Sequence, residues 1–178
     1  MRRWNDCPYA RGMPALVALQ RILDASGDPD NPTAEELSEL FATVRTIAVI
    51  GMSRDPAKAA RRGPSYLATK GYEVIPVNPL AERILGRAAY ATVSDVPQDI
   101  DLVVIFRPSE SAGTFVAEAT RLAGKPAIWL QEGIWARTAV DAARRKGFMV
   151  VQNMCTYRVH GALHGGSAAR LEERLVGE

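Results

Sequence analysis

The sequence has few of the features that disulfide-linked, metal-binding or membrane proteins require. Its two cysteines, Cys7 and Cys155, are far apart and lack the C-x-x-C or histidine spacing of a zinc site. No apolar run approaches the roughly 20 residues of a transmembrane helix, and the basic N-terminal stretch lacks the apolar core of a signal peptide. We therefore expect a cytoplasmic protein without a membrane span, a structural metal or a disulfide framework.

A strong charge imbalance is also missing. The formal net charge is +2, which is too small to indicate a nucleic-acid partner, although basic residues are concentrated between Arg54 and Arg62. The chain has 178 residues and is 47% hydrophobic, which suits one compact domain. We expect a small-molecule ligand and no binding of nucleic acid.

Residues 1–44 are predicted to form an N-terminal extension, with a disordered start and two short helices. An apolar pattern of helical period predicts the first helix. Thr33 and Glu36 have the spacing of a capping box and predict the second. The main domain is predicted to span residues 45–166, with residues 167–178 as a C-terminal tail.

From Thr46 onward, short β-branched runs alternate with amphipathic stretches, as in βαβ units. The strand runs are continuously apolar, which is typical of parallel strands buried on both faces. A weak strand is expected near residues 88–90, and a helix around residues 65–70. The sequence therefore predicts an α/β fold: a Rossmann-like, doubly wound, mainly parallel sheet of about five strands with helices on both faces. Ligands of such sheets bind beyond the carboxyl ends of the strands.

The first strand ends in a segment, G-M-S-R-D-P, that has features of a phosphate loop. Gly51 allows a sharp turn and a close approach by phosphate, and Ser53 offers a hydroxyl and an amide. The full G-x-G-x-x-G fingerprint is absent, which disfavours an NAD-type site. A tight turn without a ligand remains the alternative.

Four cations follow this glycine and match a ligand with several phosphates, although an ordinary solvated face explains each of them singly. They are Arg54, Lys58, Arg61 and Arg62.

Polar and aromatic residues follow the later strands. Asn78 and Pro79 stand where an NAD-binding domain has an acid for the ribose, so nicotinamide chemistry is disfavoured. Asn78 offers an amide to a nucleotide, and Arg107 suits a phosphate or an adenine ring. Gln131 offers a hydrogen bond to a ligand amide, and Gly133 allows the chain to pass close to it. A plain turn at Asn78 is the alternative.

Cys155 is expected near the start of a helix, where its pKa would fall and its thiol would be reactive. An inert core thiol is the equally weighted alternative. His160 lies five residues later, which disfavours one shared helical face and hence a Cys–His catalytic dyad.

Six features occur together in order and with natural spacing: G-M-S-R-D-P, P-S-Y-L-A-T-K-G-Y-E-V-I-P-V-N-P, L-G-R-A-A-Y, D-L-V-V-I-F-R, W-L-Q-E-G and a late cysteine. Together they resemble the stand-alone CoA-binding domain family, whose fold is similar to the CoA-binding domain of succinyl-CoA synthetase alpha subunits. The resemblance implies coenzyme A as the ligand, with Cys155 close to its thiol end. Met154 and Val159 stand where the family often has Arg and Glu.

The candidate ligand-binding residues combine the residue patterns with this resemblance; no catalytic or metal-binding residue is assigned. They are Gly51, Ser53, Arg54, Lys58, Arg62, Ser65, Asn78, Pro79, Phe106, Arg107, Gln131, Gly133 and Cys155.

The resulting hypothesis is a non-catalytic protein that binds coenzyme A or an acyl-CoA, with thiol–disulfide exchange at Cys155 as a redox-sensitive addition. Two alternatives stay open. One is a regulatory or scaffold protein that senses a nucleotide ligand and forms a homodimer or docks a protein partner through its N-terminal helices. The other is a nucleotide-dependent enzyme.

Overall fold

The computed structural model describes residues 13–164. The predicted disordered start and the tail at residues 167–178 lie outside this range. The helices and strands follow one another in this order: α1 (Met13–Ser26), α2 (Ala34–Thr43), β1 (Thr46–Ile50), α3 (Ala59–Thr69), β2 (Glu73–Val77), β3 (Arg83–Ile84), β4 (Arg87–Ala88), a 3-10 turn (Val93–Asp95), β5 (Leu102–Ile105), α4 (Ser109–Ala119), β6 (Ala127–Leu130), α5 (Arg137–Arg145), β7 (Val150–Val151) and α6 (Thr156–Leu163).

Five of the strands form one parallel sheet in the order β2-β1-β5-β6-β7. Alternate residues of β1 enter different cores: Ile47 and Val49 pack with α1, α2, α3 and α6, whereas Ala48 and Ile50 pack with α4 and α5. The sheet is therefore buried on both faces, which explains its continuously apolar strands. The predicted Rossmann-like fold is confirmed.

The chain order places a topological switch between β1 and β5. From β1 the chain continues to β2 on one side, and after the crossover it returns to β5 on the other side. Open α/β sheets bind ligands beyond the carboxyl ends of the strands at such a switch. The residues after β1 and β5, which are Gly51 and Phe106, are thus at the expected position of a site.

Two local predictions differ from the structure in their bounds or pairing. The helix expected around residues 65–70 spans Ala59–Thr69 and contains Pro64. The weak strand expected near residues 88–90 is replaced by an antiparallel pair of two-residue strands, β3 and β4. Tyr90 makes only an isolated parallel bridge to Val77.

The two helices predicted for the N-terminal extension are present, and they pack onto the main core. Leu19, Leu37 and Phe41 are buried in the same cluster as Trp129 of β6. The predicted capping box forms, since the Glu36 amide donates to Thr33 Oγ1 and the Thr33 amide donates to Glu36 Oε2. Among residues 13–164, no helix is long and apolar enough to cross a membrane.

Candidate functional site

At the switch point, backbone hydrogen bonds around Gly51 join the end of β1 to the ends of β2 and β5. The Gly51 amide donates to the Val77 carbonyl at 2.9 Å, and the Phe106 amide donates to the Ile50 carbonyl at 2.8 Å. Gly51 has a φ of +81°, and a Cβ at this position would stand 2.2 Å from the Phe106 carbonyl oxygen. Glycine is therefore required for the two strand ends to pack together.

The loop after Gly51 is anchored to α3 by a carbonyl group that Pro64 leaves free. Proline has no N–H to donate to the carbonyl four residues earlier, which is that of Ala60. The Ser53 amide donates to this carbonyl at 3.1 Å, and the Asp55 amide donates to Ser53 Oγ, also at 3.1 Å. The Ser53 amide is thus already paired within the chain, and the Ser53 hydroxyl oxygen accepts from the loop itself.

The basic residues of this region differ in burial. Arg54, Lys58 and Arg62 are exposed, whereas Arg61 is half-buried. Arg61 Nη1 lies 3.5 Å from Ser65 Oγ, whose hydroxyl donates to the Arg61 carbonyl at 2.7 Å. Ser65 therefore supports the Arg61 side chain within α3.

Arg61 and Arg107 share a feature that indicates an anion site. The Nε atom of each is buried, and within the part of the chain that the structure describes neither has a hydrogen-bond partner. The Arg107 guanidinium lies 5.4 Å from the centre of the Phe115 ring. A buried donor left without a partner costs about 1–3 kcal/mol, so an acceptor from a ligand would be stabilising here.

Asn78 joins the end of β2 to the loop after β1. Its side-chain amide donates to the Met52 carbonyl at 2.8 Å, and its Oδ1 accepts from the Leu80 amide at 2.9 Å. A surface cavity of about 400 Å³ begins at Asn78 and Pro79 and extends to Ala89 and Ala91. Leu80 also lines it, with 85% of its surface exposed.

Gln131 connects two elements of the fold. It is buried, its Nε2 donates to Thr156 Oγ1 at 2.6 Å, and its Oε1 accepts from the Thr156 amide at 3.3 Å. It therefore ties the end of β6 to the start of α6, and both ends of its amide are already paired. Gly133, with a φ of +82°, forms the turn beyond it.

Cys155 occupies the N-cap position of α6, makes no capping hydrogen bond with its side chain, and is half-buried. Burial raises the pKa of its thiol and the nearby Glu132 carboxylate adds to this, while the Arg158 and Tyr157 amides and the Arg158 charge act in the opposite direction without compensating. The expectation that the helix start lowers this pKa was wrong, because desolvation outweighs the helix terminus.

Both ring nitrogens of His160 form hydrogen bonds with tyrosine hydroxyls, and neither tyrosine was among the residues predicted from the sequence. Tyr72 Oη donates to the Phe41 carbonyl at 3.0 Å, so it accepts from His160 Nε2 at 3.1 Å. Nδ1 of His160 then accepts from the Tyr66 hydroxyl at 3.0 Å. Burial, together with His164 and Lys70, lowers the pKa of His160 to about 4. His160 is thus a neutral, doubly hydrogen-bonded core residue.

Comparison with known families gives a match that contains all five strands of the parallel sheet. The family model described as "CoA binding domain" matches residues 45–161. This range contains the switch point, the basic loop and Cys155.

Individual relatives agree with this match. The chain is 32% identical over 130 residues to the uncharacterized protein YneT of Bacillus subtilis, covering 73% of this chain and 96% of that protein. It is 28% identical over 153 residues to acetate–CoA ligase [ADP-forming] II of Archaeoglobus fulgidus, covering 80% of this chain but only 22% of the ligase. A solved structure of a hypothetical protein from Pyrococcus horikoshii OT3 is 34% identical with a TM-score of 0.73, covering 77% of this chain and 96% of the other.

Proposed function

Because the chain belongs to the CoA-binding domain family, we propose that it binds coenzyme A or an acyl-CoA at the switch point and catalyses no reaction on it. The observation that carries this proposal is the pair of buried guanidinium Nε atoms, on Arg61 and Arg107, that have no partner among the described residues. Both residues adjoin the loop that begins at Gly51, where this fold places its ligand.

The charge of the region suits a ligand with several phosphates, and coenzyme A carries three. Arg61 and Arg107 are desolvated enough for strong charge-assisted hydrogen bonds to a phosphate. The exposed cations, Arg54, Lys58 and Arg62, would attract the anionic ligand and hold it more weakly, because water screens them.

The cavity beside Asn78 and Pro79 suits the adenine end of the same ligand. Its wall combines small apolar side chains and the exposed Leu80 with the polar side chains of Asn78 and Glu82. An aromatic ring packed against Leu80 would remove apolar surface from water, which favours binding.

Two observations support a binding function without catalysis. Both ring nitrogens of His160 are engaged by tyrosine hydroxyls, so this histidine is not placed as a base for Cys155. The raised pKa of Cys155 keeps its thiol protonated at neutral pH.

Cys155 would still exchange slowly with a disulfide form of coenzyme A. In that step the Cys155 thiolate attacks one sulfur of the disulfide, a mixed disulfide forms, and the other thiol leaves as a thiolate that takes up a proton. Such a reversible thiol suits a reducing compartment, and we propose a cytoplasmic location on that basis.

Thermal unfolding of the reduced protein with coenzyme A, desulfo-coenzyme A, NAD and ATP in parallel tests the proposal. A ligand at about 100 times its dissociation constant adds roughly 2.7 kcal/mol to the free energy of unfolding. We expect both coenzyme A compounds to raise the melting temperature, since the nucleotide part makes the contacts. If NAD alone raises it, or no compound does, the proposal is wrong.

A further inference from the structure

The loop between β6 and α5, residues 131–136, is held by its own backbone amides. The Gly133 amide donates to Asn153 Oδ1 at 2.6 Å, and the Ala136 amide donates to Gln152 Oε1 at 2.8 Å. The Trp135 amide donates to Ser109 Oγ at 3.0 Å, two residues beyond Arg107. This β6–α5 loop therefore has a fixed conformation at the carboxyl end of β6, the same edge of the sheet as the proposed ligand site, and it contacts the start of α4 just after Arg107.

Gln152 and Asn153 each form a bridge from this loop to the N-terminal segment. The oxygen of each side chain accepts from the β6–α5 loop, as above, and its NH2 group donates in the other direction. Gln152 Nε2 donates to Asp28 Oδ2 at 3.0 Å, and Asn153 Nδ2 donates to the Ser26 carbonyl at 2.7 Å. Two adjacent side chains thus connect two loops that are distant in sequence.

The segment between α1 and α2, residues 27–33, is itself firmly docked. Asp28 forms an ion pair with Arg144 at 3.1 Å, and its side chain is only 7% exposed. Asn31 pairs with the backbone of Gln152 through both of its side-chain polar atoms, at 2.9 Å to the carbonyl and 2.8 Å from the amide. Burial raises the pKa of Asp28, but hydrogen bonds from Arg144 and Gln152 and the Arg144 charge outweigh it, so this carboxyl remains ionised at neutral pH.

We infer that this α1–α2 loop is a positioning element of the ligand site, because through Gln152 and Asn153 it fixes the β6–α5 loop. Ligand affinity then depends on residues that touch no ligand. The inference rests on the proposed function where it concerns ligand affinity. Its structural part, that the α1–α2 loop fixes the β6–α5 loop, does not depend on that function. Positioning of this kind acts by reducing the conformations that a site must give up on binding.

A swap of carboxylate and amide tests this link directly. Gln152→Glu keeps the acceptor for the Ala136 amide but faces Asp28 with a second carboxylate. Asp28→Asn in the same chain restores a donor and acceptor pair with the same net charge as the wild type. We expect Gln152→Glu to weaken coenzyme A binding about tenfold in calorimetry, and the double variant to recover part of that loss, because Asp28→Asn also removes the charge that pairs with Arg144.

Amide hydrogen exchange at Gly133 and Ala136, followed by NMR, gives the structural readout. Exchange should be faster in Gln152→Glu and return toward the wild-type rate in the double variant. Asp24→Asn is the control, since it removes an exposed charge from α1 without touching this network. If Gln152→Glu does not fold, Asn153→Gly replaces it, because glycine tolerates the φ of +57° there and removes only the bridge.

The outcomes separate the two proposals. If the wild type binds coenzyme A and Gln152→Glu binds it equally well, the positioning inference is overturned. If the wild type does not bind coenzyme A, the proposed function fails, and the exchange rates alone decide the inference. Unchanged exchange at Gly133 and Ala136 in Gln152→Glu would then overturn it, and faster exchange reversed by the double variant would support it.

Discussion

At the residue scale, one glycine and one arginine show how the same region serves both packing and binding. Gly51 is needed for folding, because the space that a Cβ would take there is filled by the carbonyl of Phe106. Arg107, which follows Phe106, has a buried polar atom that the fold leaves without a partner among the described residues. The first residue should affect stability when it is changed, and the second should affect binding.

Gly51→Ala should destabilise the protein by about 3 kcal/mol or more, because the new Cβ meets a backbone oxygen and the residue adopts a positive φ. Urea unfolding measures the loss. Gly86→Ala is the matched control: its φ is +71°, but nothing lies within 4 Å of a Cβ built there. The control should lose only about 1 kcal/mol. Equal losses in the two variants would contradict the steric argument.

Arg107→Met should lower coenzyme A affinity by at least about tenfold. The variant exchanges the guanidinium over the Phe115 ring for an apolar thioether and removes a buried donor without a partner among the described residues, so the free energy of unfolding should change little. Calorimetry and urea unfolding measure the two effects. Arg121→Met removes an exposed charge just after α4 and should change neither. A large loss of stability with unchanged affinity would assign Arg107 a structural role instead.

Cys155 should react slowly with iodoacetamide at neutral pH, because burial raises its pKa. In a Cys7→Ser background, the rate constant should be below that of a free cysteine near pH 7 and should keep rising above about pH 9. Mass spectrometry of the labelled chain gives the rate. A rate that levels off below neutral pH would mean that the helix terminus dominates after all.

At the element scale, the sequence predicted the elements well where local pattern decides them. The capping box of α2 and the apolar strands depend on near neighbours or on simple periodicity, and both formed as expected. The start of α3 lies six residues before the expected one, and the helix contains Pro64. Its missing N–H is tolerated within the helix, because the freed Ala60 carbonyl accepts from Ser53 in a different loop.

His160 joins three elements, and its protonation should govern an acid-dependent loss of stability. The pKa is lowered from 6.5 to about 4 in the folded protein, so below 6.5 the unfolded chain binds a proton that the folded chain does not. The contribution of His160 is therefore complete above 6.5 and is lost as the pH falls toward 4. Between about pH 7.5 and about pH 5 the free energy of unfolding should fall by about 2 kcal/mol from this group.

Urea unfolding of the wild type and His160→Gln at both pH values checks this. The fall should be smaller in the variant, whose side chain does not titrate. His164→Gln should retain most of it, because burial lowers the pKa of His160 more than the His164 charge does. An identical fall in wild type and His160→Gln would assign the acid sensitivity to the carboxyl groups.

At the scale of the whole molecule, the long-range polar network is what the sequence did not reveal. Asp28 and Arg144 are 116 residues apart, and Asn153 and Ser26 are 127 apart. No local spacing predicts pairs this far apart in sequence. In the sequence, each of these residues is typical of a loop or a helix. The place of the candidate site, unlike this network, follows from the sequence pattern, because parallel strands place all their following residues at one edge of the sheet.

The same network and the buried face of α1 make the N-terminal helices part of one cooperative unit. Leu19 is fully buried in the core cluster that contains β1 and β6, and α1 packs against α6 at the other end of the chain. Leu19→Ala should therefore lower the free energy of global unfolding by about 2–4 kcal/mol. Val17→Ala is the control, because Val17 is 54% exposed and should change it by less than about 0.5 kcal/mol.

In a Trp4→Phe, Trp135→Phe background, circular dichroism and the fluorescence of Trp129 should report the same urea midpoint for Leu19→Ala, since the helices and the buried Trp129 unfold together. If α1 instead unfolded on its own, the helical signal would fall first and the fluorescence midpoint would match that of the wild type. That result would separate the first helix from the core and would also remove the support that the α1–α2 loop gives to the ligand site.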